Sequence, residues 1–142
     1  MSFPTRHLPR AAFFLGLCGL LLTTAAARGE EQSPGAATSP DGKVRVQILS
    51  LRRTESDTVT LRFQVTNNSN DDYRVVPVNL RLIDIAGRRI YSPGVTSNNC
   101  ITPVGQQLTC YAVFGAPPSG TKTMTVQFYE KFDLITGVPV SE

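Results

Sequence analysis

Asp57 to Val65, "DTVTLRFQV", alternates without a break: Val59, Leu61, Phe63 and Val65 fall on one side, Thr58, Thr60, Arg62 and Gln64 on the other. A period of two is the pleat of a β-strand with one buried face, and on a helix the same residues would scatter their apolar groups around the axis. The pattern recurs. "KVRVQIL" sets Val44, Val46 and Ile48 against Arg45 and Gln47, and "TKTMTVQFYE" sets Met124, Val126 and Phe128 on one face. No segment carries the three-to-four spacing of an amphipathic helix, and turn signals recur about every 8 to 12 residues, as in a β-sandwich.

Between these strands the turn chemistry is explicit. "NNSNDD", Asn67 to Asp72, is rich in side chains that bond their own backbone, and "DIAG", Asp84 to Gly87, supplies a turn after which Arg88 to Tyr91 returns antiparallel. Val78, Leu80 and Leu82 alternate with Asn79 and Arg81, and Pro77, lacking an amide hydrogen, suits a sheet edge or a strand start. "QQLTCYAVF" is extended, "GAPPSG" breaks it, and "KFDLITGVPV" is expected to add a last edge strand. The expected core is Val44, Val46, Ile48, Leu61, Phe63, Leu80, Leu82, Phe114, Val126 and Phe128.

The first 27 residues read as a signal peptide. Arg6, His7 and Arg10 form a positive start, "AAFFLGLCGLLL" a short apolar stretch, and Ala25–Ala26–Ala27 a small-residue cleavage site. The apolar run is about 12 residues, short of the roughly 20 that span a bilayer, so the mature chain is expected to have no transmembrane span. Leu17 precedes Cys18 where a lipid-attachment motif requires a small residue, so Cys18 leaves with the signal and two cysteines remain. Loss of Arg6 and Arg10 brings the net charge from +3 to about +1. Residues 28–42, "RGEEQSPGAATSPDG", lack aromatic and branched apolar groups and read as a flexible leader to one domain over 43–142.

Cys100 and Cys110 lie equidistant from Gly105. In a hairpin turning at "VGQ" they would face one another at the spacing a disulfide spans, and export favours oxidation. Closing so short a loop contributes roughly 2.5 to 3 kcal/mol in the chain-entropy model. A zinc site would need two further ligands, and a thioredoxin-like centre needs Cys-x-x-Cys beside a helix. A structural staple is the expected role.

The only histidine, His7, belongs to the signal, so no Ser-His or Cys-His apparatus is expected, and no catalytic residue, metal ligand or cofactor is assigned. Asp71 and Asp72 are adjacent and point opposite ways on an extended chain, while Asp84 and Glu130 read as solvated strand ends. "NNSNDD" lacks the acidic spacing of an EF-hand loop. Asn67-Asn68-Ser69 is a glycosylation sequon, relevant in a eukaryotic secretory pathway. Arg45, Arg62 and Arg81, joined by Arg52, Arg53, Arg88 and Arg89, are candidates for a basic face. Without interleaved aromatics, with only Tyr73, Tyr91 and Tyr129 as candidate exposed rings, nucleic acid is not an expected partner.

Val65-Thr66-Asn67-Asn68 at a strand end, Asp84-x-x-Gly87 before Tyr91, Pro103-x-Gly105-Gln106 at a turn and Val113-Phe114 ahead of Pro117 together resemble secreted bacterial immunoglobulin-like domains of unassigned function. The resemblance implies an antiparallel immunoglobulin-like β-sandwich of about seven strands with no catalytic residues to carry over. The functional expectation is a non-enzymatic exported module, periplasmic or extracellular, acting on a protein or cell-envelope component. The alternative is an inhibitor or chaperone-like partner that inserts the stapled hairpin 100–110, with Pro103, Val104, Gly105, Gln106 and Gln107 at its tip.

Overall fold

The computed structural model describes residues 33–54, 57–97, 100–129 and 131–142; the signal-peptide expectation, Cys18 and Glu130 lie outside them. Eleven strands form in the alternating segments: β1 Gly35–Thr38, β2 Val44–Thr54, β3 Thr58–Asn67, β4 Tyr73–Arg74, β5 Leu80–Asp84, β6 Arg89–Tyr91, β7 Val95–Thr96, β8 Ile101–Thr102, β9 Gln107–Gly115, β10 Thr123–Phe128 and β11 Ile135–Ser141. The fold is all-β among the described residues apart from one 3₁₀ turn, Pro77–Asn79, which Pro77 opens. The large sheet runs β6-β5-β10-β11-β2-β3-β9-β7, with β1 also on β2, and β4 and β8 form a separate small sheet.

The sheet is mixed. β11 runs antiparallel to β10 from Ile135 to Pro139, then transfers to β2, where Val140 and Ser141 lie parallel to Leu51 and Arg52. Pro139 sits at this transfer, where its missing amide hydrogen costs least. The last segment is therefore interior to the sheet rather than an edge strand. β1 occupies the same side of β2 along Arg45–Ile48, antiparallel. Residues 35–38 thus form a strand where composition indicates a flexible leader, with Ala37 buried in the core.

Three strand spacings separate β3 from β10 in the sheet, about 14 Å if it were flat. The Phe63 and Phe128 rings of these strands nevertheless meet edge-to-face at 4.9 Å between centroids. The sheet curls, and its two halves close on one core. All ten residues expected in that core are buried, with Met124, Val59, Val65, Leu51 and Val138 among those added to it. At roughly 25 cal/mol per Å² of apolar surface, this shared face is the main source of stability.

Two local expectations are corrected. Val78 is 76% exposed, because the 3₁₀ turn through Pro77–Asn79 breaks the alternation before β5 begins. Asp84 is only 5% exposed; it ends β5 on the buried face, and its Oδ1 accepts the Gly87 amide at 2.9 Å, closing the turn to β6. A β-carbon on Gly87 would meet that carboxylate, which would have to shift to admit it.

Candidate functional site

A cleft of about 500 Å³ is formed by four chain segments. Ser39 to Asp41 come from the β1–β2 turn, Ser69, Asp71 and Asp72 from the β3–β4 loop, Tyr73 and Arg74 from β4, Asn79 from the 3₁₀ turn, and Tyr129, Lys131 and Phe132 from the chain leaving β10. Each is fixed by specific bonds.

One wall is acidic. In the β1–β2 turn, Ser39 Oγ donates to Asp41 Oδ1 and accepts the Val44 amide at 2.9 Å, while the Lys43 amide donates to Asp41 at 3.1 Å. The Ser39 hydroxyl first, then the Lys43 amide, lower the Asp41 pKa below its ordinary 3.8 by stabilising the carboxylate. The Asn68 amide donates to Lys43 O at 2.8 Å and joins this turn to the β3–β4 loop, which adds Asp71 and Asp72.

Asn67 holds that loop. Fully buried at the end of β3, it donates through Nδ2 to Asp71 O and Thr102 O, both at 2.8 Å, and accepts through Oδ1 from the Ser69 amide at 3.0 Å. Ser69 Oγ also lies 2.6 Å from Asn67 Oδ1. Every polar position of the carboxamide is used. The sequon is therefore an Asx turn, and the folded chain offers no free Asn67 nitrogen to a glycosylating enzyme.

The other lining residues include aromatic and cationic groups. Tyr73 is half-buried and meets the buried Phe132 edge-to-face at 6.2 Å. Burial first, then the neighbouring Tyr129, raises the Tyr73 pKa above its ordinary 10.0, so this phenol is neutral throughout the physiological range. Tyr129 is 42% exposed and left-handed, with φ of +46°, and its amide donates to Asn79 O at 2.6 Å. An aromatic residue in this region is strained, and the bond to Asn79 helps hold it. Arg74 and Lys131 complete the lining.

The two cysteines form a disulfide with Cα atoms 5.8 Å apart, and both are buried. They are not opposed across a simple hairpin. β8 pairs with β4, whereas Cys110 lies in β9 opposite Phe63 of β3, so the bridge joins the chain entering the small sheet to the large one. The turn between them is tight: the Gln106 amide donates to Pro103 O at 3.1 Å, and Gly105 has φ of +70°. Gly105 N also donates to Asn67 O at 2.7 Å, and Val104 N to Asp72 Oδ1 at 3.3 Å. The turn 103–107 therefore abuts the acidic wall of the cleft.

The three candidate basic-face arginines do not converge. Arg45 opposes Thr66 and Arg62 opposes Ser50, about four residues or 13 Å apart along β3, and Arg81 stands on β5 beyond β10 and β11. Arg53 is engaged elsewhere: it donates to Pro117 O and Pro118 O at 2.9 and 2.7 Å and forms the one ion pair among the described residues, 3.5 Å from Glu142. Of the candidate exposed rings, only Tyr129 is exposed; Tyr73 and Tyr91 pack on the core, and Tyr111, on the outer face of β9, is exposed instead. Among the described residues there is no cluster of metal-ligand type and no helix long and apolar enough to cross a membrane.

Compared with protein-family models, curated proteins and solved structures, the chain matches none. The sequence carried Asp71 and Asp72 only as turn residues. Their meeting with Asp41, Tyr73 and Tyr129 in one cleft had no local signal, since residues 39–132 come together only through the sheet.

Proposed function

We propose that this chain is an exported, non-enzymatic binding module of immunoglobulin-like sandwich architecture that acts on a protein or cell-envelope component through the loop end carrying the cleft. The observation that carries the reading is the preorganised acidic wall. Asn67 locks the β3–β4 loop from below, and the disulfide and the turn at Gly105 brace it from the side, so little ordering entropy is lost when a partner docks. The curled sheet, with its last strand shared between two neighbours, supports a sandwich reading. A disulfide is compatible with an oxidising, exported location.

The test is site-specific photo-crosslinking in the native envelope fraction, with the photoreactive residue at Tyr129 in one variant and at Arg62 in another. A discrete adduct from position 129 and none from 62 is expected. Adducts from neither, together with hydrolytic activity in the pure protein, would reject the binding-module reading. The inhibitor-like alternative rests on Val104, which is half exposed at the tip of a turn fixed by three bonds. Crosslinking from position 104 that survives amide substitution of the cleft aspartates would favour it.

A further inference from the structure

Alternation along β5 buries Leu80, Leu82 and Asp84 and turns Arg81 and Ile83 to the outer face of the sheet. β6 pairs Ile90 with Ile83, so Ile90 shares that outer face, and β6 is the end strand of the sheet. Residues 85–90, the turn and the start of β6, are all exposed, with Ile85 at 67% and Ile90 at 62%. A lone exposed isoleucine is ordinary on a protein surface. Two on one hairpin beside the half-buried Ile83, rimmed by polar groups, mark a contact surface.

The same corner is basic. From Arg81 to Tyr91 the chain carries three arginines and one carboxylate. That carboxylate, Asp84, is buried and accepts the Gly87 amide, whereas Arg88 and Arg89 are exposed and form no ion pair among the described residues. The charge that the tip presents to solvent is therefore positive.

We infer that this hairpin seats the protein on an anionic lipid surface, with Ile85 and Ile90 entering the bilayer interface and Arg88 and Arg89 meeting the lipid phosphates. A bilayer face offers both halves of that pairing at once, apolar chains beneath a plane of phosphates. Arginine suits the boundary, because its fork bonds phosphate oxygens and its apolar stem lies along the hydrocarbon side. The sign of the charge selects anionic over zwitterionic lipid, and the attraction falls off within a Debye length. The cleft is left free. Asn79, which lines it, precedes β5, whereas the hairpin follows Asp84, roughly 16 Å farther along the strand.

The experiment is co-sedimentation of the oxidised, folded protein with phosphatidylcholine vesicles, with and without phosphatidylglycerol. Binding to the anionic vesicles is expected to exceed binding to the zwitterionic ones about tenfold or more, and to weaken several-fold when salt rises from about 0.05 to about 0.5 M. Arg88→Asn with Arg89→Gln should weaken it about tenfold; asparagine tolerates the left-handed backbone of Arg88, at φ of +53°. Ile85→Thr with Ile90→Thr, which keeps the β-branching that suits a strand, should weaken it by a similar factor. The chain contains no tryptophan, so Ala86→Trp and Val78→Trp are single-reporter variants, the second exposed at the other end of β5. Emission from position 86 should shift to the blue on anionic vesicles, and emission from position 78 should not. Thermal melts establish that every variant is folded.

Absence of binding to anionic vesicles, equal binding to zwitterionic ones, unaltered binding by either double variant, or a blue shift at 78 without one at 86 would each overturn the inference. So would soluble polyphosphate binding as tightly as vesicles, or sedimentation equilibrium that finds the parent a dimer and the isoleucine variant a monomer. Envelope crosslinking from position 129 reports on the cleft alone, so failure of the binding-module reading and failure of lipid contact are told apart.

Discussion

Replacing Asn67 by alanine should loosen the acidic wall of the cleft and the small sheet at once. The side chain is fully buried and makes four polar contacts, to Asp71 O, Thr102 O, Ser69 N and Ser69 Oγ. Of these, Asp71 O keeps a donor in Ser69 Oγ at 2.8 Å, so its loss is partly compensated. Ser69 is only half-buried and its groups can turn to water. Thr102 is wholly buried, and its carbonyl cannot. One contact of that kind costs about 1 to 2 kcal/mol and the wetter ones about 0.5 each, for a total of about 3 kcal/mol. For a domain of this size that corresponds to a fall in Tm of roughly 10 to 15 °C. Urea unfolding of the oxidised protein measures the difference, and amide exchange at Ser69 and Thr102 localises it. A loss under about 1 kcal/mol, with protection at Thr102 unchanged, would refute the view that Asn67 organises this end of the molecule.

Reducing the disulfide, or changing Cys110→Ala with Cys100→Ala, should lower stability by about 3 kcal/mol for so short a loop, read as a shift in the urea midpoint. Gly35→Ala would drive a β-carbon into Ile135 Cγ2, at a φ of +154° that favours glycine. It should release β1 from β2, seen as lost amide protection along Ala36–Thr38 while the Phe63–Phe128 core stays protected. The Asp41 carboxyl should titrate below 3.8 by NMR, and Ser39→Ala should move it back toward that value. Because its folded pKa is depressed, any stabilisation from Asp41 is complete above its unfolded pKa and disappears as pH falls through the folded one; an unchanged titration in Ser39→Ala would count against the Ser39 bond as the main cause.

The strands with a strict alternation were legible because one buried face imposes a period that needs no knowledge of the partner strand. Residues 35–38 were not, since Gly-Ala-Ala-Thr carries no branched apolar side chain; its extended state comes from β2 and from the close approach of Gly35 to Ile135. The segment "KFDLITGVPV" read as a last edge strand, yet β11 changes partners from β10 to β2 and tolerates Pro139 at the exchange. The same triplet that reads as a glycosylation signal closes an Asx turn from the Ser69 amide to Asn67 Oδ1, and it is Thr102 O, brought in by β8, that together with Asp71 O occupies the Asn67 nitrogen.

By itself the sequence determined the all-β character of the described residues, the ten residues that anchor its core and the pairing of Cys100 with Cys110. Those properties follow from local periodicity and from counting. Only the tertiary structure decided that β8 leaves β9 for β4, that β11 runs parallel to β2, and that Asp41, Asp71, Tyr73 and Tyr129 line one cleft. Strand partners and concavities are set by contacts between residues far apart in the chain, and a short-range pattern holds no record of them.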